Sequence, residues 1–355
     1  MDATPSFTGR PRRRTTRPWV RTGDRVARVV ITAGGIGTIV AVLLVGVFLL
    51  AVALPLFRSA TVRREAAASF GDTGSTPAWL GVDESGAVAW IVEPDGRVRV
   101  VGVVDGAALA EIAAADTGLA GATVVRVVPG TLHAVAGFAD GSVRSGRLGL
   151  ETSFCDEAGL PAGTRPPDRG QAVASAAGIL VRDAHGRLAR VVPVVDLAPP
   201  TRSLDAAIVD VDVAPLAGGP LVAALDARGR IRVESVTSKR NLLTDEVVVQ
   251  ATGATIEPEP DCTPRFVRVS ELGDQVFAVA ADGRGRRNVI RDVAAPVAME
   301  AFAVTPTGDR VVAVERLFGG MSLAVADARG IVRTFFATRG AEGEAANGLA
   351  NTAAH

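Results

Sequence analysis

Side chains that carry most enzyme and metal chemistry are scarce in this sequence. Its 355 residues include three histidines (His133, His185 and His355) and two cysteines (Cys155 and Cys262). Zinc-type sites need such ligands at close spacing, and these five are scattered. Asp183-Ala184-His185 sets an acid two residues before a base, a pattern that could serve a metal or a proton transfer. The same triplet falls in a turn that recurs along the chain, and a turn role is the reading we adopt for both residues. Gly35-Ile36-Gly37 begins like a dinucleotide fingerprint, but no third glycine follows and no strand precedes it. No Walker loop or nucleophile elbow occurs. The residues therefore predict no catalytic site, no metal and no cofactor, and the expectation is a chain that is not an enzyme. Cys155 and Cys262 stand 107 residues apart in polar contexts and could form a disulfide in an oxidising compartment.

What would position any such residue begins with charge. Basic and acidic residues number 38 each, unevenly spread. Residues 1–28 carry Arg10, Arg12, Arg13, Arg14, Arg17, Arg21, Arg25 and Arg28 against Asp2 and Asp24. The rest holds 30 basic and 36 acidic groups, a mildly acidic body that argues against nucleic acid as a partner. Apolar residues reach 48% and mean hydropathy is +0.29, which calls for a membrane segment. Val29 to Phe57 supplies it, 29 positions without a charge. As a helix at about 1.5 Å per residue this run reaches roughly 43 Å, against about 30 Å of hydrocarbon.

The arginines ahead of the run, Arg12, Arg13, Arg14, Arg17, Arg21, Arg25 and Arg28, act as a topology signal. They place the N-terminus in the cytoplasm and the bulk of the chain on the outer side of the membrane. Ala51-Val52-Ala53 has the form of a cleavage site, but the apolar run is longer than the 7–15 residues usual for a signal peptide, which favours an uncleaved anchor. Ala33, Gly37 and Ala41 recur every four residues and form a stripe on which other spans could pack.

Residues 58–78 read as a polar linker, 79–338 as the outer domain and 339–355 as a flexible tail. The outer domain is punctuated by a repeated turn. Pro94-Asp95-Gly96-Arg97 is echoed by Ala139-Asp140-Gly141-Ser142, Asp183-Ala184-His185-Gly186, Asp226-Ala227-Arg228-Gly229, Ala281-Asp282-Gly283-Arg284 and Asp327-Ala328-Arg329-Gly330. Successive glycines lie 45, 45, 43, 54 and 47 residues apart. Asp and Gly suit the positive-φ turn of a hairpin, with the aspartate bonding local backbone. A second turn type, Asp83-Glu84-Ser85-Gly86 and Pro306-Thr307-Gly308-Asp309, is expected one strand earlier. A period near 45 predicts four-stranded β-propeller blades, about six or seven of them. The fold class expected is thus mainly β, one N-terminal transmembrane helix followed by a β-propeller-like domain. Trp79 and Trp90 are expected to fill the first blade. The 54-residue interval, with Glu257-Pro258-Glu259-Pro260 and Cys262, reads as an inserted loop.

Asp24-Arg25-Val26-Ala27-Arg28, Val30-Ile31-Thr32-Ala33-Gly34-Gly35-Ile36-Gly37 and Leu54-Pro55-Leu56-Phe57 together resemble the start of long-form phosphate ABC-transporter permeases (PstC-like). That resemblance implies a phosphate-type importer of a bacterial inner membrane, anchored by a single pass, with a propeller-like outer domain in the periplasm. Its partners would be other permease subunits or spans, through them an ATPase, and a periplasmic substrate-binding protein. No later segment is long and apolar enough to span a bilayer, so the resemblance implies the N-terminal portion of such a permease, with an interaction or regulatory role and no transport alone. The alternative expectation is a free-standing anchored scaffold for envelope protein assembly.

Overall fold

The computed structural model describes residues 18–54, 76–160, 163–176, 178–240, 247–260, 262–305, 309–317, 322–337 and 349–352. The chain divides into two compact units, residues 1–65 and 66–355.

The first unit contributes one helix, α1 (Pro18–Ala53), of 36 residues. Proline suits a first helical position, where its missing N–H costs nothing. The helix starts 11 residues before the charge-free run, so Arg21, Arg25 and Arg28 lie on it. At about 1.5 Å per residue it extends roughly 54 Å. The polar hydroxyl of Thr38 donates to the Gly34 carbonyl at 3.0 Å, and apolar side chains such as Ile31, Leu43 and Phe48 are exposed around the helix. Its length and composition suit a membrane anchor or a signal sequence.

The second unit is built of antiparallel sheets. The first sheet joins β1 (Trp79–Val82), β2 (Val88–Val92), β3 (Val98–Gly102) and β4 (Ala108–Ile112) in chain order. After a single helical turn, α2 (Ala114–Thr117), come β5 (Ala122–Val127), β6 (His133–Phe138) and β7 (Ser142–Phe154). Next are β8 (Gln171–Ser175), β9 (Gly178–Arg182) and β10 (Leu188–Leu197). β10 pairs with β7 over nine residues, from Ala189 opposite Phe154 to Leu197 opposite Gly146. A Cβ at Gly146 would run into the Asp196 carbonyl, so a bare position lets these strands meet. With β11 (Thr201–Arg202) on β7, the second and third repeats fuse into one seven-stranded sheet.

The third sheet is β12 (Ile208–Ala214), β13 (Leu221–Asp226), β14 (Ile231–Arg240) and β15 (Val247–Ile256). The fourth is β16 (Pro264–Val269), β17 (Gln275–Ala280), β18 (Arg284–Val289) and β19 (Val297–Ala303). The fifth is β20 (Val311–Arg316), β21 (Ser322–Asp327), β22 (Val332–Ala337) and β23 (Leu349–Thr352). Among the described residues, six sequence repeats thus yield five sheets of a mainly β, propeller-like domain.

All six repeat glycines occupy the turn between the second and third strands of their units, with φ between 83° and 90°. Asp226 shows the chemistry: its Oδ1 accepts the Arg228 and Arg230 N–H groups, both at 2.9 Å, while its carbonyl accepts the Gly229 N–H at 3.0 Å. Asp83–Gly86 joins β1 to β2 as expected, but Asp309 lies between the fourth and fifth sheets, and residues 306–308 are outside the described ones. The long interval is filled largely by the ten-residue strands β14 and β15 rather than by a loop alone. Within the expected tail, residues 349–352 pair with β22, and the rest of 339–355 lies outside the described residues.

Neighbouring sheets bury apolar faces against each other. Val88, Trp90 and Val100 meet Val125, Leu148 and Ile179; Val135 meets Ile208 and Val211; Leu225 and Ile231 meet Val267 and Val276; Phe277 meets Val314 and Leu323. Each fully buried side chain of this kind contributes about 1.5–3 kcal/mol.

Candidate functional site

β5, β12, β16 and β20 open four of the repeats, and each carries a β-bulge at the same place. The ladder steps over one residue between Ala122 and Val124, Ile208 and Asp210, Pro264 and Phe266, and Val311 and Ala313. A bulge kinks its strand and re-aims the side chains beyond it. Three residues past the bulged one, the strands carry Arg126, Asp212, Arg268 and Glu315, each opposite the residue six before its turn glycine. The sign of charge alternates from repeat to repeat.

These groups form one network. Arg268 donates from Nη1 to Asp210 Oδ2 at 2.6 Å and from Nε to the Val314 carbonyl at 2.8 Å. The same Asp210 oxygen accepts the Val267 N–H at 2.9 Å. Asp212 accepts the Val269 N–H at 2.8 Å, with Arg316 Nε 3.6 Å away. Arg316 in turn donates to the Val269 carbonyl at 2.7 Å, tying β20 to β16. Arg126 donates to Glu315 at 2.6 Å, and its guanidinium stands 6.0 Å from the Trp79 ring centroid. Asp210, Asp212 and Arg268 are buried. Burial pushes the Asp212 carboxyl above its ordinary value, against the pull of Arg316, Arg268 and Arg126. Burial also opposes the charge on Arg126, but Glu315 and Asp210 outweigh it and hold its pKa above the usual value.

Beside this network lies a chamber of about 460 Å³. Arg126, Arg268, Asp210 and Glu315 face it from the network, and Arg265 and Arg310 stand exposed on its lining. Four guanidiniums against two carboxylates leave an excess of positive charge. Arg265 is itself the bulged residue of β16, and neither it nor Arg310 makes an ion pair among the described residues. Planar guanidiniums in such a setting suit carboxylate or phosphate oxygens, which they can grip two at a time. Asp210 is fully engaged, so a proton-transfer role in the chamber would fall to Glu315.

Other sequence candidates lie apart from this chamber. Asp183 serves its turn, accepting the Arg187 N–H at 2.8 Å and pairing with Arg187 Nε at 2.7 Å, while His185 lies in a neighbouring cleft. Burial opposes the Asp183 charge, yet the Arg187 bonds hold its carboxyl below the ordinary value. The disulfide does not form. Cys155 follows β7 in the second sheet, its N–H bonded to the Leu188 carbonyl, whereas Cys262 is buried ahead of β16 in the fourth. Ala33, Gly37 and Ala41 lie on α1, and a Cβ added at Gly37 meets nothing within 4 Å. Arg12, Arg13, Arg14 and Arg17 are outside the described residues. Among the described residues no group of three His, Cys, Asp or Glu is placed to hold a metal. The network residues had a sequence signal that was missed: a single charge between valines, as in Val125-Arg126-Val127, Val211-Asp212-Val213 and Val267-Arg268-Val269.

No protein-family profile matches the chain, and no curated protein matches it. Solved structures that resemble it include a putative 6-phosphogluconolactonase from Bacteroides uniformis, at 13% identity and TM-score 0.42, covering 78% of this chain and 70% of that one. A putative 6-phosphogluconolactonase from Bacteroides fragilis matches at 13% identity and TM-score 0.42, covering 78% and 69%. Kluyveromyces lactis Hsv2 follows at 12% identity and TM-score 0.34, covering 74% and 75%. Two expectations are corrected by these findings. The phosphate-importer role rested on the resemblance within residues 24–57 and on the order of helix and propeller-like domain, and nothing in the comparisons supports it or the scaffold alternative. The expectation of a chain without catalysis is withdrawn as well, since two of these neighbours carry an enzyme's name. At this distance their names assign no reaction to this chain.

Proposed function

We propose that the propeller-like domain captures a small anion of the carboxylate or phosphate class in its arginine-lined chamber. The observation that carries this reading is the pair Arg265 and Arg310, two exposed guanidiniums without ion-pair partners among the described residues, on a lining that already has a positive excess. Arg126 and Arg268, fixed by the buried network, would set the floor against which the anion rests, and Glu315 would accept a hydrogen bond from a ligand hydroxyl. In this reading α1 is an uncleaved anchor, with the arginines before and on its first turns in the cytoplasm and the domain outside.

Titration calorimetry of the full chain in detergent tests the chamber, with inorganic phosphate, citrate and a sugar phosphate as probes. Each hydrogen bond to a charged group contributes about 1.5–3 kcal/mol, so Arg265→Ala and Arg310→Ala should each weaken binding about tenfold or more. Affinity should fall as salt rises. No saturable heat with any of the three probes would overturn the reading. The same preparation, offered a phosphorylated sugar lactone, shows whether capture leads to turnover; loss of turnover in Glu315→Gln with retained binding would assign Glu315 the proton transfer.

A further inference from the structure

An open sheet edge is a surface for pairing, and folds guard theirs with short strands, bulges, prolines or charges. The last strands of the five sheets follow this rule with one exception. β23 has four residues, and β4 and β8 have five each. β4 also carries Glu111, and its ladder to β3 steps over Leu109. β19 is longer, but its ladder to β18 steps over Met299, and Glu300 accepts from the buried Arg287 at 3.0 Å. β15 has none of these devices. Its ten residues, Val247-Val248-Val249-Gln250-Ala251-Thr252-Gly253-Ala254-Thr255-Ile256, include no charge and no proline and pair with β14 without a register shift. Ala251, Thr252 and Thr255 are exposed, and among the described residues no strand pairs with the outer side of β15.

The start of β15 is also thinly supported. β13 pairs with β14 only from Ile231 to Ser235, so residues 237–240 and 247–250 continue as a ribbon of two strands. Such a ribbon is marginal in water and gains from a third strand. A second copy of β15 fits that place. Turned about a two-fold axis at Thr252, it sets Thr252 opposite Thr252, Gln250 opposite Ala254 and Val248 opposite Ile256, with side chains on matching faces. Thr against Thr is a favourable cross-strand pair, and no like charges meet, because the flanking Glu257 falls opposite Val247. Each ribbon is then backed by the sheet of the other copy. A two-fold contact of this kind closes on itself and uses both edges, whereas a head-to-tail contact leaves one edge free to propagate. We infer that β15 is a self-pairing edge, joining two copies of this chain into one continuous sheet through residues 248–256. β7 and β10 make an antiparallel seam of nine residues within one chain, the same length of contact. This pairing is independent of the arginine chamber.

Light scattering of the full chain in detergent, resolved for protein mass alone, reads the association. The expected species is a dimer, twice the 36.4 kDa of one chain. Thr252→Lys and Thr252→Asp each set like charges face to face and should weaken the dimer about fivefold or more. Co-expressed, the two variants put opposite charges together and should pair like the unmodified chain, a rescue that a misfolded variant would not show. Gly37→Leu, on the small-residue stripe of α1, should leave the dimer intact. The inference is overturned if the chain is monomeric at about 100 μM, or if the dimer survives the Thr252 variants and is lost in Gly37→Leu. It is equally overturned if the mixed variants pair no better than either alone, or if open-ended assemblies form in place of a dimer.

Discussion

At Gly330 an added methyl group would meet nothing within 4 Å, whereas at Gly141 it would run into the Leu204 carbonyl and at Gly96 into the Leu119–Ala120 backbone. The three share a left-handed conformation, so an alanine at each pays about 1–2 kcal/mol for that alone. Gly330→Ala should lose about that much in urea denaturation, and Gly141→Ala and Gly96→Ala clearly more. These turns were legible in the sequence because a hairpin turn is decided by neighbouring residues. Two aspartates make opposite predictions with pH. Asp212 has a raised carboxyl, so the folded chain holds its proton more tightly than the unfolded one does. Its contribution to stability is complete below the ordinary carboxylate value and is lost as pH rises through the raised one. Asp327 is held low, first by its hydrogen bond from Arg333 and then by the Ile331 and Arg329 N–H groups, against burial. Its contribution is present above the ordinary value and lost as pH falls through the lowered one. Urea midpoints should therefore show Asp212→Asn gaining on the unmodified chain as pH rises from about 4 to about 8, while the deficit of Asp327→Asn closes toward about pH 3.

Strands carry the next level of argument. Arg268 links β16 to β12 through Asp210 and to β20 through the Val314 carbonyl, all within a buried setting. Arg268→Ala removes the hydrogen-bonded cation of the buried Asp210, leaving only Arg126 at 4.0 Å, and should cost about 3 kcal/mol. Arg202 and Asp205, 3.8 Å apart and both about 70% exposed, provide the contrast: Arg202→Ala should cost no more than about 1 kcal/mol. Equilibrium unfolding of the two variants side by side checks the difference. The inner charges escaped the sequence reading for a definite reason. Alternation of valine with a charged residue ordinarily means a strand with one wet face. Only the bulges and the stacking of neighbouring sheets turn that face inward, and both depend on partners far along the chain: Asp210 and Arg268 are separated by 58 residues. The fusion of β7 with β10 was equally hidden, because both strands carry ordinary hairpin turns at their ends and their pairing is a choice between sheet edges.

For the molecule as a whole, the long apolar helix predicts that the chain stays with the membrane pellet after alkaline carbonate extraction, and that its N-terminal sequence begins ahead of α1. A mature N-terminus just past Ala53, with the protein in the soluble fraction, would identify the helix as a signal sequence instead. The repeat period and the mainly β character were readable because each unit repeats its own local signals; the division into sheets was not, because it is settled between units. That division has a mechanical consequence. Pulled from its ends, an array of separate blades gives way one blade at a time, and a four-stranded sheet such as residues 264–303 should release roughly 13–14 nm of chain, at about 3.3–3.6 Å per residue. Residues 122–202 are stitched together by the nine-residue β7–β10 seam and should yield as a single event of roughly 27–29 nm, one long step among shorter ones.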